Sequence, residues 1–364
     1  MKTGVSKRGF LGITLLSTLL ASACSSDGNL IQKPTAPAVP PLSSPRPDSN
    51  TSPAPIAQPR TGDASAQPSD RENLPNSCNK PALSAKKTAN VQYQNISGVD
   101  PKFHSLDIYM PAVTNPCEGV PVVIWVHGGA WMIGDKSNLD SQIKATHFNT
   151  MGYAFVSVNY RLSPEVRDES QLDPNRVKFP DHPNDVGAAV AWVHKNIKDQ
   201  GGNPDKIALL GHSAGAHLAA LVAMDQRYIE RTHTTWNPKA LRCLGSYDTE
   251  AYNINEVMLS AVGPQRLFYR NAFGDLPAVW SAASPINFVR DYGMAIQLAK
   301  RGDSGRHAQL ENFKRALEEK KNSVSVINAQ SISHEEVNRF IGAPGDQIMT
   351  PFVSTFLSQS CFGK

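Results

Sequence analysis

A serine between two glycines is the first feature of this sequence that could support chemistry. The stretch KIALLGHSAGAHLAAL places Ser213 in the pattern Gly-x-Ser-x-Gly, between an apolar run and an alanine-rich run typical of a helix. At a sharp strand-to-helix turn a serine exposes its hydroxyl above the sheet, and Gly211 and Gly215 would be needed because side chains there would collide across the turn. A serine that only caps a helix fits the same pattern. The rest of the chain must decide between a nucleophile and a cap.

A second feature is the stretch WVHGGAWMIGDK, which follows an apolar run typical of a buried strand. Two glycines at a strand end let main-chain N–H groups point into a cavity, as an oxyanion hole requires. A tight turn under a strand would also explain them. We expect His127 to belong to the scaffold and Trp131 to contact the substrate. The predicted oxyanion donors are the main-chain N–H groups of Gly128, Gly129, Ala130 and Ala214.

Four motifs follow one another in the chain: HGGAW, NYRLSPE, FPDHPNDVGAAVAWV and GGNPDKIALLGHSAGAHLAA. Together they resemble the α/β-hydrolase superfamily, most closely its hormone-sensitive-lipase-like and carboxylesterase branch. That branch includes kynurenine-formamidase-like and feruloyl- and acetylxylan-esterase-like members with HGG-x-W. The resemblance covers residues 85–360. It implies a Ser-Asp-His triad in that chain order, with no metal and no organic cofactor.

The chain order assigns the predicted triad. After Ser213 the resemblance places an acid behind the seventh strand and a histidine behind the eighth. The seventh predicted strand, MAIQLAK, leads to Asp303, and the eighth, SVSVINAQ, leads to His334. His334 would act as general base and then general acid, while Asp303 would hold its ring tautomer. The poorer alternatives by position are Asp291, Glu311 and His307.

Several further residues belong to the resemblance or lie near the predicted pocket. We interpret Tyr160, Arg161 and Asp185 as scaffold. The stretch SPEVRDESQLDPNRVKFP is longer than the family's usual link and either borders the pocket entrance or forms a surface loop. The residues that could wall an acyl pocket, or could be plain core, are Phe268, Phe273 and Trp280.

The elements that must position these residues are short apolar runs separated by helical patterns. The leading runs VQYQNI and HSLDIYM alternate and predict a hairpin. The six runs after them are continuously apolar, as in strands buried on both faces by helices. The sequence therefore predicts an α/β fold: a doubly wound, mostly parallel eight-stranded sheet with helices on both faces.

The first 77 residues differ in character from the rest. Residues 1–23 combine a basic start, an apolar core and a small-residue site, which predicts a signal peptide. Cys24 follows directly and resembles the lipidated cysteine of a bacterial lipobox, although ordinary signal cleavage would also fit. Residues 24–77 hold 11 of the 27 prolines and no aromatic residue, which predicts a disordered tether. Residues 78–364 are the predicted catalytic domain, and the pattern predicts an exported lipoprotein.

Charge and cysteines narrow the remaining choices. The net charge of +4 is scattered without a basic tract, which argues against a nucleic-acid partner. The four cysteines after Cys24 suggest two disulfides in an exported protein. Three pairings are possible, and we favour Cys78 with Cys117 and Cys243 with Cys361. Their spacing suits no metal site.

The function that these features favour is an exported serine esterase acting on small or medium acyl esters through an acyl-enzyme. The alternatives within hydrolases are an arylformamidase-type amidase and a polysaccharide acetyl or feruloyl esterase. A different class of protein, a noncatalytic surface binding lipoprotein on a hydrolase fold, would be expected to lack the serine or the histidine. The predicted partner is a small-molecule ester, with membrane contact only through the N-terminal lipid.

Overall fold

The computed structural model describes residues 82–114 and 117–363, where eight strands form one sheet. In chain order the strands are β1 (Lys86–Gln92), β2 (Ser105–Met110), β3 (Val120–Val126), β4 (Ala154–Val158), β5 (Gly202–His212), β6 (Leu241–Tyr247), β7 (Ala295–Lys300) and β8 (Ser323–Asn328). Their order across the sheet is β1-β2-β4-β3-β5-β6-β7-β8. β1 and β2 pair antiparallel, as do β2 and β4, and all other neighbours are parallel.

Helices connect the parallel strands. In chain order they are α1 (Leu139–Thr150), α2 (Asp181–Asn196), α3 (Ala214–Met224), α4 (Arg227–Glu230), α5 (Ile254–Ser260), α6 (Gly263–Phe273), α7 (Pro277–Ala282), α8 (Ser304–Glu319), α9 (His334–Phe340) and α10 (Thr350–Thr355). Short 3-10 turns lie between them, and residues 356–361 continue α10 as a π-helix. No helix of the described residues is both long and apolar enough to cross a membrane.

The continuous apolar runs arise because both faces of the sheet are covered. Successive side chains of a strand point to opposite faces. In β3, Val122, Ile124 and Val126 belong to one buried cluster. Val123 and Trp125 between them belong to a second buried cluster. The mostly parallel, doubly wound sheet that the sequence predicts is confirmed.

Parallel strands bring their carboxyl ends to one edge of the sheet, where functional residues of such folds converge. β5 lies between β3 and β6. The segments that follow these three strands, and the one that follows β8, carry the residues considered below.

The predicted signal peptide, the lipid-modified Cys24 and the tether lie outside the described residues. The predicted pairing of Cys78 with Cys117 also involves a residue outside them. In the second predicted pair, the Sγ atoms of Cys243 on β6 and Cys361 near the C-terminus lie 2.00 Å apart.

Candidate active site

Ser213 occupies a strained turn between strand and helix. β5 ends at His212 and α3 begins at Ala214, so Ser213 alone makes the turn. Its φ of 55° lies in the left-handed region, which non-glycine residues rarely adopt. A Cβ atom on Gly211 would lie 2.3 Å from the carbonyl oxygen of Gly215, and one on Gly215 would lie 2.2 Å from that of Val126. Both glycines are therefore required by space.

The serine is the first member of a hydrogen-bonded relay. Its Oγ lies 2.9 Å from Nε2 of His334, and Nδ1 of the same ring lies 2.6 Å from Oδ2 of Asp248. The ionised carboxylate can only accept, so Nδ1 donates to it and Nε2 is left to accept the Ser213 hydroxyl. This order of contacts is the geometry of a Ser-His-Asp triad.

The acid beside His334 is therefore Asp248, which corrects the prediction of Asp303. Asp303 is exposed and lies at the start of α8, where its carboxylate accepts the main-chain N–H of Arg306 at 2.9 Å. An aspartate before the first turn of a helix satisfies donors that have no partner within the helix. Asp303 is thus a helix cap.

The side chains of the other candidate triad residues also contact partners outside the relay. Glu311 faces Lys300, with 3.2 Å between Oε1 and Nζ. Asp291 accepts the main-chain N–H of Gly293. Nε2 of His307 lies 3.1 Å from Oε1 of Gln330.

The signal for Asp248 is present in the sequence. Asp248 ends the run LRCLGSYD, so this residue directly follows β6, the strand beside the one that leads to Ser213. The main-chain N–H of Ser213 donates to the carbonyl of Tyr247 at 3.0 Å, which joins the two strand ends. An acid behind the neighbouring strand can reach the histidine as well as one behind the next strand.

Asp248 is held ionised in a buried position. Its side chain is 1% exposed, and burial by itself opposes ionisation. The charges of Arg306 and His334 outweigh that effect and hold the pKa of the carboxyl well below its usual range. Arg306 pairs with Oδ1, while Nη1 of Arg301 lies 3.6 Å from Oδ2.

His212, the residue before the serine, contacts both the main chain and the ring of His334. Its Nε2 lies 2.9 Å from the main-chain oxygen of His334, and the two ring centroids are 4.5 Å apart. Burial, followed by the nearby charge of His334, lowers the pKa of His212 well below its usual value. A neutral His212 donates one hydrogen bond to the segment that carries His334.

The predicted oxyanion donors gather around the serine. Gly128, Gly129, Ala130 and Ala214 line the same cavity as Ser213. Gly129 and Ala130 have positive φ angles of 111° and 50°. Within the described residues, none of these four main-chain N–H groups donates a hydrogen bond to the protein. They are therefore available to hydrogen-bond the anionic oxygen of a group bonded to Ser213 Oγ.

His127 is part of the scaffold of this loop, as the sequence predicts. It is buried, its Nδ1 lies 2.8 Å from the carbonyl oxygen of Gly128, and its ring stacks on Tyr160 at 4.5 Å. The Tyr160 hydroxyl donates to the His127 carbonyl at 3.0 Å. Burial lowers the pKa of His127, which favours its neutral form.

Asp185 and Arg161 form a second scaffold contact away from the serine. Arg161 donates from Nε and Nη2 to the two carboxylate oxygens of Asp185, at 2.8 and 2.7 Å. The main-chain N–H of Arg161 adds a third bond at 2.9 Å. This bidentate pair ties the loop after β4 to α2.

A cavity of about 410 Å³ opens above Ser213. Trp131 lines it but is 4% exposed, and its ring packs edge-on against His217 and Phe273. Of the three aromatic residues predicted for a pocket wall, Phe268 lines the cavity, whereas Phe273 and Trp280 do not. Besides His127, His212 and Ser213, the polar side chains on the lining are Asn138, Asp140, Thr249, Glu250, Gln265, Tyr269, Arg306, His334, Glu335, Asn338 and Arg339.

The long link between the NYRLSPE and FPDHPNDVGAAVAWV motifs packs behind this cavity. Val166 is buried in a small cluster with Phe268 and Leu267, and Leu172 packs against the same cluster. Arg176 donates to the main-chain oxygens of Asn271 and Arg270. The link therefore supports α6 and is not an inert surface loop.

Among the described residues, one group has the spacing of metal ligands: His212, Asp248 and His334, whose ligand atoms lie within 4.8 Å. Nδ1 of His334 and Oδ2 of Asp248 already pair with each other, Nε2 of His334 contacts Ser213, and Nε2 of His212 bonds the main-chain oxygen of His334. A metal there would have to displace the bonds between Asp248, His334 and Ser213.

The sheet order, the strained serine turn and the relay together define the α/β-hydrolase fold. The family model BD-FAE matches residues 106–300, which is more than half of the 364-residue chain. The chain belongs to the BD-FAE family.

Among curated proteins, esterase LipQ of Mycobacterium tuberculosis is 34% identical over 224 residues, covering 60% of this chain and 49% of LipQ. Carboxylesterase NlhH of the same species is 34% identical over 116 residues, covering 32% of each chain. The chain thus spans about half the length of LipQ and about a third of the length of NlhH.

Among solved structures, an inhibited esterase B from Lactobacillus rhamnosis superposes with a TM-score of 0.59 at 20% identity. It covers 76% of this chain and 88% of its own. At this level of identity the likeness concerns the fold.

Proposed function

We propose that the protein is an exported serine esterase that hydrolyses small or medium acyl carboxylic esters through an acyl-enzyme. The observation that carries this proposal is the relay of Ser213, His334 and Asp248 beside four main-chain N–H groups that no described residue engages. The names of the relatives, esterase and carboxylesterase, agree with it.

The first half of the reaction acylates the serine. His334 Nε2 takes the hydroxyl proton as Ser213 Oγ attacks the ester carbonyl carbon. The carbonyl oxygen becomes an oxyanion, which the N–H groups around Gly129 and Ala214 stabilise. Asp248 accepts from Nδ1 throughout and stabilises the imidazolium. His334 then gives its proton to the departing alkoxide, which leaves as an alcohol.

The second half regenerates the enzyme. A water molecule gives a proton to His334 Nε2 and attacks the acyl carbon, again forming an oxyanion in the same N–H cluster. Collapse of this intermediate breaks the bond to Ser213 Oγ, which recovers its proton from His334. The product is a carboxylic acid, and every proton that the histidine takes is returned.

The cavity sets the size of the substrate. A volume of about 410 Å³ suits a ligand of modest size. Because His334 must protonate the leaving oxygen, the alcohol part lies on the His334 side of Ser213, and the acyl part lies on the other side. Phe268 on the cavity lining provides apolar surface for the acyl part.

The test is hydrolysis of p-nitrophenyl butyrate by the full chain, with Ser213→Ala beside the wild type and the exposed Ser358→Ala as matched control. Loss of a triad serine costs about 10⁶ in kcat. We expect turnover in the wild type and in Ser358→Ala, and background rates in Ser213→Ala. Equal rates in the wild type and Ser213→Ala would contradict the proposal.

Export and lipid attachment through Cys24 are also part of the proposal, and their support is the sequence pattern of residues 1–24. Expression in a bacterium with radiolabelled palmitate tests them. Label in the wild type and none in Cys24→Ala is expected. An unlabelled wild-type protein would exclude the lipid anchor.

A further inference from the structure

Two arginines from the segment after β7 converge on the carboxylate of Asp248. Arg306, in the first turn of α8, pairs with Oδ1, and Nη1 of Arg301 lies 3.6 Å from Oδ2. Their side chains are only 10% and 12% exposed. A triad acid needs one partner, the histidine, to orient the imidazole. Two further cations at the same carboxylate therefore call for a separate explanation.

Both arginines are fixed by contacts of their own. Arg301 donates from Nε to the main-chain oxygen of Ile332 at 2.9 Å. Arg306 also pairs with Glu250 and donates to the main-chain oxygen of Asp248 at 3.1 Å. Asp303 caps the helix turn that carries Arg306. The two positive charges are thus held in place rather than drawn in from solvent.

We propose that Arg301 and Arg306, here called the arginine pair, are positioning residues that fix the Asp248 carboxylate and set the lower pH limit of hydrolysis. The inference rests on the function proposed above.

The physical reason is electrostatic. His334 acts as a base only while its ring is neutral, and the negative charge of Asp248 favours the protonated ring. The arginine pair offsets part of that negative charge at a distance of a few ångströms, in a site with little water. Removing either arginine charge therefore strengthens the pull of the Asp248 carboxylate on a proton of the neighbouring ring.

Other charged groups face the same site and must be kept constant. They are His212 on β5, Asp140 and Lys144 on α1, Glu250 after β6, and Glu335, Glu336 and Arg339 on α9 itself. Burial keeps His212 neutral, and Glu250 is already paired with Arg306. Burial lowers the pKa of Lys144 to about 7, so its charge changes within the range of interest. None of these residues is altered in the variants below.

The experiment follows the His334 ring by NMR as the pH is varied, in the full chain, for the wild type, Arg306→Gln and Arg301→Gln. Arg315→Gln removes the same charge from an exposed position of α8 and serves as matched control. We expect the titration midpoint of His334 to rise by about one pH unit in Arg306→Gln. The rise is smaller in Arg301→Gln, whose charge is farther away. Arg315→Gln and the charge-conserving Arg306→Lys stay near the wild type.

The acidic limb of kcat/KM against pH should move with the NMR midpoint. An unchanged midpoint in Arg306→Gln, even with a lower kcat, would overturn the inference because it would leave a merely structural role. If Arg306→Gln does not fold, the direction of the shift in Arg301→Gln decides. The NMR titration needs no turnover, so an inactive wild type would reject the proposed function while the inference is still tested.

Discussion

Asp248 and Ser213 share an unusual main-chain conformation. Each has a φ of 55° and each directly follows a strand, β6 and β5 respectively. Aspartate tolerates the left-handed region better than most residues, whereas serine there is rarer and costs about 1–3 kcal/mol. Strain is therefore stored at two of the three relay positions, where adjacent strand ends hold both turns.

Asparagine at position 248 should separate the two candidate acids. Asp248→Asn offers His334 an amide that can favour the wrong tautomer, and we expect kcat to fall by about 10⁴. Asp303→Asn should keep kcat within about threefold, because asparagine caps a helix as well as aspartate does. Hydrolysis of p-nitrophenyl butyrate by both variants measures this. Greater loss in Asp303→Asn would contradict the assignment.

Ser213 and His334 could be found from the sequence because their evidence is local. Ser213 lies within one strand-turn-helix pattern, and His334 lies in the segment that follows the last strand. Asp248 depends on which of two strand ends comes nearer to the histidine, and that is a property of the assembled sheet. The prediction of Asp303 followed the chain order that the resemblance implies, an acid behind the seventh strand, whereas Asp248 follows the sixth.

At the scale of elements, α9 must hold His334 although it has only seven residues. Ser333 and Glu336 form a reciprocal capping box at its start. Near its end, the fully buried Lys144 of α1 donates from Nζ to the main-chain oxygen of Asn338 at 2.7 Å. Asn338 in turn donates to Asp140 of α1 at 2.7 Å. The helix is thus tied at both ends.

The buried Lys144 should make stability depend on pH. Burial lowers its pKa from 10.5 to about 7 in the folded chain, so the unfolded chain binds more protons between these values. The contribution of this group to the free energy of unfolding is therefore highest above pH 10.5, and it decreases as the pH falls to about 7. Between pH 7 and pH 9, we expect the free energy of unfolding of the wild type to rise by about 2 kcal/mol more than that of Lys144→Met.

Denaturant unfolding of both proteins at the two pH values measures this difference. Lys239→Met, at an exposed site, is the matched control and should follow the wild type. A difference between wild type and Lys144→Met that does not change with pH would contradict the expectation.

At the scale of the whole molecule, the sheet could be predicted because the hydrophobic pattern of each strand indicates whether one or both of its faces are buried. The six continuous apolar runs correspond to the six strands from β3 to β8. Of the two alternating runs, HSLDIYM corresponds to β2, whereas VQYQNI overlaps β1 only at Val91 and Gln92, because β1 begins at Lys86 and ends at Gln92. The shape of the cavity could not be predicted, since Asn138, Gln265 and Asn338 reach it from three separate segments.

The contact of Cys243 with Cys361 spans 118 residues and joins β6 to the C-terminal segment. Closing so long a loop restricts the unfolded chain, and a disulfide there should contribute about 2–4 kcal/mol. We therefore expect Cys361→Ser to lower the melting temperature by several degrees in oxidised protein. After reduction the variant and the wild type should melt alike. Equal melting temperatures before reduction would show that no stabilising disulfide forms.

The central claim is that Ser213 is the nucleophile of a relay completed by Asp248. The most direct measurement is the labelling of the full chain with diethyl p-nitrophenyl phosphate, followed by peptide mass spectrometry. The account predicts one diethylphosphoryl group on Ser213, formed at a rate that falls sharply in Asp248→Asn and hardly in Asp303→Asn. No adduct, an adduct on another residue, or equal labelling rates in wild type and Asp248→Asn would contradict it.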